Sequence, residues 1–268
     1  MRRRLDAELV RRGLTASRQR ALEAIGAGRV LVGGLPARSP ARRVTAEEPI
    51  SLSGDGPRFV SRGGEKLEAA LDDFGVVVAG RHALDAGAST GGFTDCLLQA
   101  GAAHVVAVDV GRGQLAWALR TDPRVTVLER TNVRFLDETD IGGAAELCTA
   151  DLSFISLSAC APALARCTTR DADLLLLVKP QFEAGRSQVG KGGIVRDPAL
   201  HREVLRRVRD DLARAELNAV AVVPSPLRGA DGNLEFFLHC RKDAAAELHD
   251  HALDAAVVAA HEGVGTGS

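Results

Sequence analysis

The sequence predicts an α/β fold: a Rossmann-like, seven-stranded sheet preceded by a small α+β module. Three observations carry this. From His82 onward, short apolar runs alternate with helix-like segments, the rhythm of a sheet covered by helices. Seven such runs are present, at His82–Leu84, Val105–Val108, Val125–Leu128, Leu147–Ala150, Asp173–Val178, Val220–Val223 and Leu234–Leu238. The first run feeds directly into a glycine-rich turn and then a helical pattern, Phe93 to Leu98.

That turn reads Asp85-Ala86-Gly87-Ala88-Ser89-Thr90-Gly91-Gly92-Phe93-Thr94, a D-x-G-x-x-x-G-G spacing. Glycines let the backbone approach a ligand closely, and free N–H groups at a helix start face it. The dinucleotide fingerprint G-x-G-x-x-G is not met, and no G-x-x-x-x-G-K-[ST] occurs. An acid before the turn, without a pyrophosphate cradle, suits a nucleoside with an amino-acid tail: S-adenosylmethionine. Asp109, ending the second run, stands where ribose hydroxyls are held. Asn132, beyond the third run, stands where an adenine ring is contacted, although a turn asparagine would look the same. Phe154 could lay its ring against the cofactor or pack in the core.

Net charge is −1 overall, but it is unevenly placed. Residues 1–64 hold 13 of the 34 basic residues, all arginine, and 6 of the 35 acidic ones, so they balance at +7 and the rest at −8. A basic module on an acidic body points to a polyanionic partner. Five cysteines, odd in number and without a C-x-x-C, read as reduced core residues of a cytoplasmic protein. The seven histidines show no metal-binding spacing, so no metal is expected. The longest apolar runs are strand-length, and neither a secretory signal nor a membrane span is expected.

Taken in order, Leu5, Leu9 and Val10 give one helical stripe closed by Gly13. Ser17 caps a second helix with Ala21, Leu22 and Ile25 inward, ended at Gly26 and Gly28. Val30–Val32 makes a strand, Gly33-Gly34 a hairpin turn, and Val44 and Ile50 later short strands. Arg4, Arg11, Arg12, Arg18, Arg20 and Arg29 crowd this module, whose expected span is 1–57. Residues 58–64 read as a linker after Gly54-Asp55-Gly56-Pro57. The second domain is expected over 65–243. It opens with a helix from Glu65 to Phe74, with Lys66 in its first turn, where a cation opposes the helix dipole. Leu115, Trp117 and Leu119 belong to a further helix, the tryptophan packing inward. Asp151 leaves the fourth strand. Lys179 ends a buried apolar run, a placement that needs a partner. Glu235 sits among apolar residues of the last strand and needs one too. Asp85, Asp109, Asp151 and Lys179 should meet at the carboxyl edge of the sheet. Residues 188–193 read as a lid-like loop, 200–217 as a helix, and 244–268 as a C-terminal helix and frayed tail.

Two resemblances follow from these motifs. The pattern R-L-D-x-x-L-x-x-x-G-L-x-x-S-R from Arg4 to Arg18, with I-x-x-G-x-V-x-V-x-G from Ile25 to Gly34, resembles the α-L RNA-binding domain of the ribosomal protein S-four type. It implies RNA bound by shape and phosphate contacts, with the six arginines as its candidates. The order Lys66, the glycine turn, Asp151, Lys179 in L-V-K-P, and Glu235 resembles the FtsJ-like 2′-O-ribose methyltransferases. With the basic module and S-R-G-G-x-K at Ser61 to Lys66, residues 4–241 resemble the TlyA family, rRNA cytidine-2′-O-methyltransferases also described as haemolysins. The resemblance implies Lys66, Asp151, Lys179 and Glu235 as a catalytic tetrad, S-adenosylmethionine as cofactor and rRNA within ribosomal subunits as partner. Where relatives often carry R-A-W-S, this chain has Arg58-Phe59-Val60-Ser61. Physically, two adjacent lysines depress each other's pKa while the two carboxylates oppose that. Competing classes fare worse. A membrane-active haemolysin needs an apolar segment not found, an NAD enzyme lacks its fingerprint, and an inactive assembly factor would not need an intact tetrad.

Overall fold

A computed structural model of the chain describes residues 2–15, 17–54, 57–185, 188–190, 192–229, 232–244 and 248–263. The chain divides into two compact units, 1–58 and 59–268. The first holds β1 (Arg3–Arg4), α1 (Leu5–Arg11), α2 (Arg18–Gly26), β2 (Val30–Val32), β3 (Leu35–Pro36), β4 (Arg43–Val44) and β5 (Ile50–Leu52). β1 pairs antiparallel with β4, and β2 lies between β3 and β5, also antiparallel. Ser17 caps α2 by accepting from the Arg20 N–H. Leu5 and Leu9 of α1 pack on Ala21, Ala24 and Ile25 of α2 and on Val30, Val32 and Val44. Leu22, expected inward, is exposed. Helical periodicity explains this: 21, 24 and 25 share one face, and residue 22 lies about 100° away from 21.

The second unit begins with α3 (Gly63–Phe74), β6 (His82–Ala86), α4 (Gly92–Gln99), β7 (His104–Val108), α5 (Trp117–Arg120), β8 (Val125–Leu128) and β9 (Ala145–Ala150). It continues with α6 (Leu157–Arg166), β10 (Thr168–Val178), α7 (Pro180–Glu183), α8 (Pro198–Arg214), β11 (Asn218–Pro224), β12 (Phe236–Arg241) and α9 (Asp250–Glu262). These strands form one seven-stranded sheet of order β11-β12-β10-β9-β6-β7-β8. β10, β9, β6, β7 and β8 are parallel, and β12 runs against both its neighbours.

Alternation along the strands feeds two cores. Leu84, Val106, Cys148, Leu174, Leu176 and Phe236 face α6, α8 and α9. Ala83, Val105, Leu147, Leu175, Leu177 and Phe237 face α3 and α4. All five cysteines are buried and none is in a disulfide, as composition suggested. Three expectations are corrected here. Trp117 is 75 % exposed, because α5 is a single turn whose inward contacts are made by Leu115 and Leu119. The last strand starts at Phe236, so Glu235 precedes it rather than sitting inside it. The final helix begins only at Asp250, and residues 245–247 and 264–268 of that expectation lie outside the described residues.

Phe59, read as linker, is buried in the second unit against α3. A Cβ on Gly64 would come within 2.2 Å of the Phe59 ring. Overpacking of that kind costs about 1–3 kcal/mol. Gly64→Ala should therefore lower the unfolding free energy by that amount, read as a lower denaturant midpoint at an unchanged m-value.

Candidate functional site

The parallel strands end at one edge, and their register brings particular residues side by side. Ala86 pairs with Ala150 and Val178 with Phe236. One residue further out, Gly87 stands beside Asp151, and Lys179 beside Glu235. The chain builds outward from β6 through β7 to β8, then returns to place β9 on the other side of β6. Such a switch point opens a crevice at the strand ends.

Gly87 needs its hydrogen. Its φ is 89°, and a Cβ there would lie 2.5 Å from the Asp151 carbonyl oxygen. Gly91, with φ 98°, is the N-cap of α4. The Asp95 N–H already donates to Gly91 O and the Thr94 N–H to the Asp85 carboxylate, so the N–H groups of Gly92 and Phe93 are the ones left at the helix start. Asp109 receives the Ser89 N–H at 2.8 Å and the Gly111 N–H at 2.6 Å, which closes the turns after β6 and β7 onto one carboxylate.

Two ion pairs occupy the middle of the edge, the first buried and the second partly exposed. Lys66 Nζ lies 2.6 Å from Glu235 Oε2, with the lysine 8 % and the glutamate 3 % exposed. Lys179 Nζ lies 2.6 Å from Asp151 Oδ1 and donates to Ser153 Oγ at 2.9 Å. Burial raises the Glu235 carboxyl above its ordinary range, and Lys66 and then Lys179 pull it back down. The two pairs thus share one field. Asp151 Oδ1 is enclosed and lies against the lysine without an aligned hydrogen bond.

Several sequence-predicted cofactor residues take other places. Asp85 is fully buried beneath the turn, where Thr94 Oγ1 donates to it at 2.6 Å and Thr149 Oγ1 at 3.3 Å. It fixes α4 to β9 rather than lining the crevice. The Phe93 ring is in the core against Phe237, 6.0 Å between centroids, leaving only its backbone at the surface of the turn. Asn132 caps a 3₁₀ turn by accepting from the Arg134 N–H. Phe154 has φ 64° and is 92 % exposed, its ring 5.1 Å from that of Phe182. A non-glycine residue at positive φ is strained, so the surrounding turn holds this ring in place. Phe182 in turn lies 5.8 Å from Lys179 Nζ. Ser153 and Phe182 were not picked out from sequence. Ser153 follows Asp151 by two residues, the one signal that pointed to it.

In the first unit, the buried carboxylates Asp6 and Glu8 organise most of the candidate arginines. Arg4 and Arg18 hold the Asp6 carboxyl down at about 2, and Arg11 and Arg12 do the same for Glu8. Arg20 pairs with Glu23. Arg12 also donates to the carbonyls of Thr45, Ala46 and Glu48, so four of its five N–H groups are spent inside the unit. It is a staple between α1 and the segment after β4, which withdraws it from the RNA-facing set. Arg29, half-buried after α2, has no carboxylate partner among the described residues.

Comparison with known proteins fits this geometry. Residues 59–242 match the FtsJ-like methyltransferase family and residues 3–50 the S4 domain. The chain belongs to the FtsJ-like methyltransferase family. It is 54 % identical over 255 residues to the 16S/23S rRNA (cytidine-2′-O)-methyltransferase TlyA of Mycobacterium tuberculosis, covering 95 % of each chain. It is 39 % identical over 237 residues to Hemolysin A of Brachyspira hyodysenteriae, covering 88 % of this chain and 98 % of that one. A solved structure of a hemolysin-named protein from Streptococcus thermophilus superposes with a TM-score of 0.79 at 38 % identity, covering 98 % and 97 %.

Within this FtsJ-like unit, Asp85 gives a measurable signature. Burial raises its carboxyl from 3.8 to about 7, against the opposing hydrogen bonds from Thr94 and Thr149. The folded state therefore binds an extra proton between these values. The stability this contributes is fully present below about 3.8 and is lost as the pH rises through about 7. Asp85→Asn keeps partners for both threonines and abolishes the titration. Thermal melts should show the variant gaining on the wild type by up to about 1.4 kcal/mol per pH unit between pH 4 and 7. A difference that stays constant with pH would remove Asp85 from this role.

Proposed function

We propose that the chain is an S-adenosylmethionine-dependent methyltransferase that modifies the ribose 2′-hydroxyl of cytidine in ribosomal RNA. The observation that carries this reading is the pair of lysine–carboxylate contacts, Lys66–Glu235 and Lys179–Asp151, at the carboxyl edge of the sheet. The relatives' substrates supply the RNA and the nucleotide. The S4 domain supplies a docking module, on which Arg4, Arg11, Arg18, Arg20 and Arg29 are the arginines for phosphate contacts.

The residues present fit the cofactor. The Gly87 turn packs directly on the Asp151 backbone, since a Cβ on Gly87 would meet that carbonyl oxygen, and beside it Ala88, Ser89, Asp109 and Gly111 line a small pocket. The N–H groups of Gly92 and Phe93 at the start of α4 would receive the carboxylate of the amino-acid tail. Asp109 would take the ribose hydroxyls, and Asn132 stands on the adenine side. When bound, the cofactor supplies an electrophilic methyl group on a sulfonium.

The protein's own residues then have to orient a weakly acidic hydroxyl and handle its proton. Lys179, held between Asp151 and Ser153, would take or direct the 2′-OH proton as the hydroxyl oxygen is methylated. Lys66 and Glu235 position the hydroxyl and balance charge. Phe154 and Phe182, their rings tilted 48° to each other, give an apolar wall beside Lys179. Placement of the reacting atoms in line contributes as much as the proton transfer.

The hemolysin names of some relatives raise membrane action as an alternative. Among the described residues no helix is long and apolar enough to cross a membrane.

The test is to incubate the protein with radiolabelled S-adenosylmethionine and separated unmethylated ribosomal subunits, then map the 2′-O-methyl. Lys179→Ala should bind cofactor and RNA as the wild type does and lose 10²- to 10⁴-fold in turnover, on the order expected for a removed acid–base group. Full turnover in that variant would overturn the assignment.

A further inference from the structure

The sheet edge is divided. The glycine turn and Asp109 follow β6 and β7, the tetrad lies at the ends of β9 and β10 and the start of β12, and β11 and β12 complete the far side. On that far side a cavity of about 320 Å³ is lined by Ile194, Val195, Arg196, Arg228, Leu234 and His261. Its walls are tied to the catalytic loop. Asn233, nearly fully buried, accepts the Val195 N–H at 2.9 Å and donates to Gly193 O at 3.0 Å. Gly229, next to Arg228, lies against Glu235, since a Cβ there would be 2.4 Å from Glu235 Oε1. Ser225 N–H donates to the Glu235 carbonyl at 2.8 Å.

The cavity is cationic. Arg196 and Arg228 are exposed and have no carboxylate partner among the described residues; Arg228 donates only to Gly232 O. Arg202 also faces His261, and its pairing with Asp254 is loose, at 3.6 Å. The His261 ring lies 3.0 Å from Nδ1 of the buried His201 and is held below its ordinary pKa by burial, Arg228 and Arg202. Among the described residues the acid acting on His261 is Asp197, which caps α8 by accepting from the Ala199 N–H. Two unpaired guanidinium groups beside a half-apolar cavity match a nucleotide: a phosphodiester on the arginines, with sugar or base against Ile194 and Leu234.

We infer that this cavity is a second substrate subsite, where Arg196 and Arg228 hold a backbone phosphate of the RNA strand close to the nucleotide being modified. It rests on the RNA-methyltransferase reading above. The cofactor turn occupies the β6–β7 side, so the strand carrying the target reaches the tetrad from the β12–β11 side and crosses this cavity.

The experiment is the double variant Arg196→Ala/Arg228→Ala with unmethylated subunits as substrate. The expected result is a KM for subunits raised about tenfold or more, kcat within about twofold, and an unchanged cofactor Kd, each value an order of magnitude for lost phosphate contacts. The slope of log binding constant against log salt should fall in magnitude by about two, one for each contact. Arg196→Lys/Arg228→Lys should restore most of the slope, because the charges return. Wild-type KM and salt slope in a double variant with a wild-type melting temperature would overturn the inference. Inorganic phosphate is the second arm. If it raises the melting temperature of the wild type but not of the double variant while the subunit KM is unaltered, the cavity is a free-anion site and the RNA assignment falls. A wild-type enzyme that transfers no methyl sinks the methyltransferase reading instead, and the salt slope still tests the subsite by binding alone.

Discussion

The site depends on charges buried together at the end of a sheet. Lys66 and Lys179 emerge at an edge where water is scarce, and a lone ammonium there would be costly. Strand register supplies the remedy. Because Val178 pairs with Phe236 and Ala86 with Ala150, the residues one step out are forced beside each other. Glu235 then meets Lys66, brought in by α3 from 169 residues away in sequence, and Asp151 meets Lys179. Removing any one member leaves an uncompensated charge, so the four residues form a unit. A one-residue slip of β12 would turn Glu235 to the other face and dissolve it.

The same logic sorts the other buried carboxylates, with opposite results. Burial would raise Asp173, yet His239 and Arg81 hold it at about 2. Asp85 receives the Thr94 and Thr149 hydroxyls and the Thr94 N–H, and burial with the nearby Asp151 charge still pushes it up to about 7. Both lie in strands of one sheet. Asp173 ties the near end of β10 to β12 and Arg81 with a charge, whereas Asp85 joins the turn to β9 with hydrogen bonds. In the small unit, Asp6 and Glu8 draw in the guanidinium groups of four arginines. The positive balance read from sequence already counts these two acids; the pairing fixes where the four guanidinium groups sit.

Much of the architecture was legible because it is written in local patterns. Alternating apolar runs gave the strands, and Gly87, Gly91 and Gly92 gave the turn, since backbone geometry at such positions selects residue type directly. Lys179 was conspicuous as a cation ending a buried run. What was not legible depended on partners remote in sequence. Nothing near Asp85 says that Thr94 and Thr149 will seal it in. Arg12 reads as a surface cation until its carbonyl acceptors at 45, 46 and 48 are folded against it. Trp117 and Leu22 were assigned inward on hydrophobicity alone, whereas facing is decided by the short length of α5 and by the phase of α2. The start of β12 was missed because Leu234 and Glu235 look like strand. The loop that the Asn233 side chain clamps to Gly193 and Val195 stops the pairing one residue later.

Methyl transfer from a sulfonium requires the attacking oxygen and the departing sulfur on opposite sides of one carbon. A parallel sheet edge meets this demand through its topology. The switch point beside β6 faces one half of the edge toward the glycine turn and Asp109. The reversed strand β12 brings Glu235 and the loop before it to the other half. The tetrad lies on the boundary, where neither half alone could place it. A nucleophile entering from the β12 side would meet a methyl group presented from the β6 side, with Lys179 and Asp151 between them. On this account the antiparallel insertion of β12 is the feature that turns a general nucleoside-binding sheet into one that can hold two reactants face to face.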